Sequence, residues 1–121
     1  MRQLATLVLL SLVSACAMTP SEIVQSGERF TADLQHPPAD AAKCILVNAE
    51  NFSGILSGRI DSKDHGKLVA VQLRTDTMGS HAVIELEPEG KTARARLWVR
   101  SDHALKLTSP AEFVSAILNG C

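Results

Sequence analysis

Four side chains that could bind a partner recur at alternate positions late in the sequence: Arg94, Arg96, Trp98 and Arg100. A guanidinium group binds carboxylates and phosphates through paired hydrogen bonds, and tryptophan offers a large apolar surface. Both residue types often dominate the binding energy of protein interfaces. Alternate residues of a strand share one face. We therefore single out this row, with Arg74 and His81 from neighbouring segments, as a candidate binding surface for an anionic group or a partner protein.

A simpler interpretation of the same residues is a solvated sheet face. A hairpin with Glu89-Gly90 at its tip would pair the preceding and following segments as Glu85 with Arg94, Val83 with Arg96, and His81 with Trp98. Exposed cross-strand ion pairs of this kind contribute less than ~1 kcal/mol each. Both interpretations remain open at the level of sequence.

No spacing typical of a catalytic or metal centre is present in the sequence. The four histidines fall at no metal-ligand spacing, and there is no C-x-x-C pair, G-x-S-x-G elbow or glycine-rich phosphate loop. We therefore predict a protein without enzymatic activity, cofactor or metal, although a catalytic triad formed only in three dimensions would leave no such trace. The net charge of −1 gives no argument for binding nucleic acid.

The first 16 residues carry a processing and anchoring signal. Arg2 precedes an apolar run from Leu4 to Val13, which is too short to span a bilayer and is typical of a secretory signal peptide. The run ends in the small residues Ser14 and Ala15, followed by Cys16. The segment Val13-Ser14-Ala15-Cys16 resembles the lipobox of bacterial lipoproteins. In the alternative interpretation, a general signal peptidase cuts nearby and Cys16 has no special role.

The resemblance implies that residues 1–15 are removed and that Cys16 becomes an acylated N-terminus. Several acyl chains together make a durable membrane anchor, whereas one chain binds only marginally. In this family an aspartate directly after the acylated cysteine favours retention at the inner membrane. Ala17 stands there instead, so the resemblance implies a periplasmic or surface domain anchored in the outer membrane.

Acylation of Cys16 would leave Cys44 and Cys121 as a pair. An exported chain enters an oxidising compartment, where a disulfide between them is expected, the alternative being two buried free thiols. Such a bridge would close a loop of nearly the whole domain and stabilise it by roughly 4 kcal/mol on the chain-entropy model.

Three segments have helix signals. Thr19-Pro20 followed by Glu22 has the form of a capping box, and Gly27 would end that helix early. A second helix is predicted from about Pro38 to Asn51, where apolar residues recur at helical spacing. The last helix begins at Ser109-Pro110 and ends near Gly120.

Period-two alternation predicts strands in four segments: Ser53 to Ser62, Lys67 to Thr75, Ser80 to Glu87, and Lys91 to Arg100. Short connectors rich in Gly, Asp and Pro predict hairpins between them. We therefore predict an α+β fold of two layers, a four-stranded antiparallel meander covered on one face by two helices in the order α-β-β-β-β-α. Residues 16–36 are predicted to be the acylated N-terminus and tether, and 37–121 one globular domain.

These observations favour an envelope lipoprotein whose domain is a non-enzymatic binding or accessory module for another envelope protein. The alternative is a binder of a small ligand or envelope polymer that uses the exposed sheet face.

Overall fold

The computed structural model describes residues 17–101 and 109–121, and it confirms the α+β class. The predicted signal peptide and the predicted acylation site Cys16 lie outside the described residues. In chain order the elements are α1 (Pro20–Ser26), β1 (Glu28–Asp33), α2 (Pro38–Phe52), β2 (Leu56–Lys63), a single 3₁₀ turn (Asp64–Gly66), β3 (Leu68–Thr75), β4 (Gly79–Glu89), β5 (Thr92–Val99) and α3 (Pro110–Leu118).

The sheet has five antiparallel strands in the order β1-β5-β4-β3-β2, and not the predicted four. Strands β2 to β5 form the predicted meander, and β1 adds an edge strand by pairing with β5. The alternation of Phe30 and Ala32 with polar residues indicates a short extended segment in the sequence. Its partner lies more than sixty residues away along the chain, so no local pattern predicts the pairing.

Capping side chains begin the first and last helices as their sequences predict. Thr19 Oγ1 accepts a hydrogen bond from the Glu22 amide at the start of α1, and Ser109 Oγ accepts one from the Glu112 amide at the start of α3, each at 3.3 Å. These bonds satisfy amides that have no partner within the helix. Gly27 ends α1 by donating its amide to the Ile23 carbonyl at 2.7 Å.

Helices α2 and α3 cover one face of the sheet, here called the inner face, and the main core lies between these two layers. Its largest fully buried side chains come from β3, β4, β5 and both helices: Ile45, Val71, Leu73, Ile84, Leu86, Leu97, Val99, Phe113 and Ile117. Burying such aliphatic and aromatic surface is the main source of stability in a domain of this size.

A disulfide joins Cys44 of α2 to Cys121 just beyond α3, as the sequence predicts, with the two Cα atoms 5.7 Å apart. Beside it, Asn48 Nδ2 donates to the carbonyls of Ile117 and Asn119 at 3.0 and 2.9 Å. The two helices are therefore connected covalently and by a side chain that satisfies the last carbonyls of α3.

The short helix α1 packs against β4 and β5 on the opposite face of the sheet, here called the outer face. Ile23 of α1 and Val83 of β4 are both buried, yet neither belongs to the main core. Residues 20–33, predicted to be part of a tether, are thus a helix and an edge strand of the domain itself.

Candidate binding surface

The hairpin between β4 and β5 turns one residue later than predicted, which shifts the pairing of every side chain on the outer face. Glu89 pairs with Thr92, so the turn consists of Gly90 and Lys91, with Gly90 at φ +62°. A two-residue turn of this kind favours glycine where φ is positive. The cross-strand pairs of the outer face are therefore Glu85 with Arg96, Glu87 with Arg94, and Val83 with Trp98.

Charged side chains from three strands form two neighbouring ion-paired clusters on the outer face, one around Arg94 and one around Arg96. Together they are here called the outer-face network: Asp33, Glu85, Glu87, Glu89, Arg94 and Arg96. Arg96 Nη2 lies 3.0 Å from Glu85 and 2.7 Å from Glu87. Arg94 Nε lies 3.3 Å from Asp33 and 3.9 Å from Glu89. The ion pairs expected of a solvated face are therefore present in this network.

The outer-face network contains four carboxylates and two guanidinium groups, so its formal charge is negative. The paired groups around Arg94 and Arg96 therefore do not form a basic platform by themselves, although Arg29, the exposed cross-strand partner of Trp98 on β1, adds a positive charge beside them. The side chains that form these pairs keep roughly half of their surface exposed, with Arg96 at 48% and Glu85 at 42%. Solvent screens such pairs strongly, and their charges stay accessible to a partner.

Trp98 lies beside the outer-face network. It is half-buried, and the Arg96 guanidinium carbon is 6.0 Å from the centre of the indole ring. Its cross-strand neighbour Val83 is buried on the side of the sheet that α1 covers. The indole Nε1 is buried and has no hydrogen-bond partner among the described residues. Trp98 is thus partly packed against the sheet and partly exposed, with the Arg96 guanidinium over its ring.

His81 lies on the inner face, so its predicted place beside Trp98 is wrong. The β3–β4 pairing contains a bulge: Leu73 pairs with Ala82, while the next residue, Arg74, pairs with Ser80. His81 is the extra residue of this bulge, and its ring packs edge-on against Phe113 of α3 with 4.8 Å between centroids. A β-bulge redirects a side chain in this way because two residues of one strand face one of the other.

Arg100 and Arg74 also lie apart from the row predicted by alternation. Arg100 is buried, and its Nη1 donates to the Met78 carbonyl at 2.6 Å. Arg74 is exposed on β3, two strands away from β5. Of the predicted surface, only Arg94, Arg96 and Trp98 are brought together on the outer face.

Arg74 borders a second feature of the outer face, a cavity of about 290 Å³ here called the basal groove. The groove lies between the chain leading into α1 and strands β2, β3 and β4, and its polar lining includes Thr19, Arg59, Gln72, Arg74 and Ser80. Ser80 is buried, and its Oγ has no hydrogen-bond partner in the described part of the chain. Arg59 and Ser80 were not among the predicted binding residues, because their proximity depends on strand order and on the position of α1.

Among residues 17–101 and 109–121, no group of three or more His, Cys, Asp or Glu side chains could hold a metal ion. No helix within these same ranges is long and apolar enough to cross a membrane. Comparison with protein-family models, with curated proteins and with solved structures found no match to this chain.

Proposed function

We propose that this protein is a bacterial envelope lipoprotein, anchored through acylated Cys16, whose domain is a non-enzymatic module that binds another envelope protein. The anchor rests on the lipobox-like ending of the apolar run at Cys16. The binding site is the uncovered part of the outer face, formed by the outer-face network and the partly exposed Trp98.

The single observation that supports this site is the arrangement of both charge signs around one tryptophan. Arg96 lies 6.0 Å from the Trp98 ring and also pairs with Glu85 and Glu87. Protein partners offer acidic, basic and apolar groups within one surface, and so can match such a pattern. Tryptophan and arginine are the residue types that most often anchor such interfaces.

The same arrangement favours a protein partner over the alternative of an anionic envelope polymer. Four carboxylates outnumber two guanidinium groups in the outer-face network, so these two clusters offer an anionic polymer no net electrostatic attraction. The outer face also remains a continuous sheet surface beyond α1, which covers the ends of β4 and β5 near Val83.

Crosslinking in intact cells tests the proposed site. We expect the tagged chain to recover one specific envelope protein, and the double variant Arg94→Ala with Arg96→Ala to lose it. The double variant Lys43→Ala with Lys67→Ala removes the same charge from exposed positions elsewhere and should recover the partner normally. Equal recovery by both double variants would refute the outer face as the binding site.

The anchor is tested separately through Cys16→Ser. We expect this variant to accumulate as an unprocessed precursor or to leave the membrane fraction, because no acyl chain can then be attached to residue 16. Normal processing and wild-type fractionation of the variant would refute acylation at Cys16.

A further inference from the structure

The segment that follows Cys16 is attached directly to one end of the sheet. The Met18 amide donates to the Met78 carbonyl at 3.2 Å, and the Met18 carbonyl accepts from the Ser80 amide at 2.7 Å. Cys16 precedes Met18 by two residues in the sequence, and two steps of about 3.8 Å between consecutive Cα atoms span no more than about 8 Å. An acyl anchor on Cys16 therefore places the β3–β4 turn next to the membrane.

One large apolar side chain is exposed at this end of the sheet. Leu56 pairs with Thr75, the last residue of β3, so the preceding residue Ile55 lies beside the β3–β4 turn. Ile55 is 60% exposed, the largest value among the exposed large hydrophobic side chains of the described residues. An isoleucine at a membrane surface can bury its side chain among lipids.

The basal groove opens at this end and carries cationic groups. Arg74 is exposed and forms no ion pair within the described ranges, although Asp76 follows in the turn. The Arg59 side chain is 74% exposed, and its Nε lies 3.1 Å from Asp61. Two accessible guanidinium groups beside one cavity are well suited to the oxygens of a phosphate.

The buried hydroxyl of Ser80 is an independent indication of a ligand. Ser80 is 5% exposed, lines the basal groove, and its Oγ has no partner within residues 17–101 and 109–121. A buried polar group without a hydrogen bond costs free energy, which an acceptor oxygen entering the groove would recover.

We propose that this end of the sheet rests on the membrane and that the basal groove binds the phosphate of an anionic phospholipid, held by Arg59, Arg74 and Ser80. The inference rests on the proposed anchoring at Cys16. It gives the lipoprotein a fixed orientation, in which the Gly90-Lys91 turn at the other end of β4 and β5 points away from the membrane.

Hydrogen exchange of the mature acylated protein in vesicles tests the orientation. One set of vesicles contains phosphatidylcholine alone, and the other contains phosphatidylcholine and phosphatidylglycerol in equal parts. We expect the anionic vesicles to slow amide exchange several-fold in residues 17–19 and 72–80. Arg74→Glu should abolish this protection, whereas Lys91→Glu, the same charge change at the opposite end, should retain it.

The outcomes separate the inference from the anchor on which it rests. Failure of the wild-type protein to sediment with either vesicle refutes the anchor and the orientation together. Sedimentation with both vesicles but equal exchange in the two refutes the phospholipid site alone. Equal protection of detergent-solubilised protein by inorganic phosphate also refutes it, because the groove would then be a site for free phosphate.

Discussion

Asn48 illustrates how much a single polar side chain can contribute to this fold. Its amide nitrogen reaches two carbonyl oxygens at the end of α3, those of Ile117 and Asn119, and lies 3.3 Å from the sulfur of Cys121. The last carbonyls of a helix have no partner within the helix and require one from elsewhere. Asn48 supplies that partner from α2 across nearly seventy residues of sequence.

Asn48→Ala is expected to destabilise the protein by about 1–2 kcal/mol, because it leaves these carbonyls without their donor. The measurement is urea unfolding followed by circular dichroism. Asn51→Ala removes the same side chain from an exposed position one turn further along α2 and should change stability little. Equal effects of the two variants would contradict the capping role of Asn48.

At the scale of elements, the contact between the chain entering α1 and the start of β4 depends on Gly79. This residue has φ +73°, and a Cβ atom there would collide with the backbone of Met18. Gly90 in the β4–β5 turn also has a positive φ, +62°, but a Cβ atom there would meet open space. Both glycines therefore adopt a backbone conformation that other residues disfavour, but only at Gly79 would a side chain also collide with a neighbouring backbone.

Gly90→Ala should cost about 1 kcal/mol, from the left-handed backbone alone. Gly79→Ala should cost roughly 1–3 kcal/mol more, because the new Cβ atom would collide with the Met18 backbone in addition to requiring a left-handed conformation. It should also speed amide exchange at Met18 and Ser80, whose hydrogen bonds depend on this approach. If both variants lose equal stability and exchange is unchanged, the Met18 contact does not stabilise the domain.

At the scale of the whole molecule, the disulfide joins residues 77 positions apart and ties the end of the chain to α2. Replacing both cysteines by alanine is expected to destabilise the protein by about 4 kcal/mol, because the unfolded chain regains the freedom that the bridge removes. This loss of stability is measured by denaturant unfolding of the double variant and of the wild type, the latter both before and after reduction of the disulfide. The reduced wild type should resemble the double variant; a double variant as stable as the oxidised protein would contradict the prediction.

Local signals in the sequence determined most of the elements. The capping residues Thr19 and Ser109 predicted where α1 and α3 begin, and alternation predicted the four strands of the meander, because both patterns act over a few residues. The pairing of Cys44 with Cys121 followed from counting cysteines once Cys16 was set aside as the anchor. The anchor itself stays a prediction from sequence.

The tertiary structure alone decided which of the predicted side chains meet. A turn displaced by one residue moved Glu85 from Arg94 to Arg96, and one bulged residue turned His81 from the outer face to Phe113. Neither the turn position nor the bulge can be predicted from the local hydropathy pattern. Arg59, Arg74 and Ser80 come together only because three strands pair in order and the segment before α1 crosses them. Such contacts depend on strand register and on packing between segments that are distant in sequence. Periodic sequence patterns, by contrast, indicate only the secondary structure of each segment and which of its residues share a face.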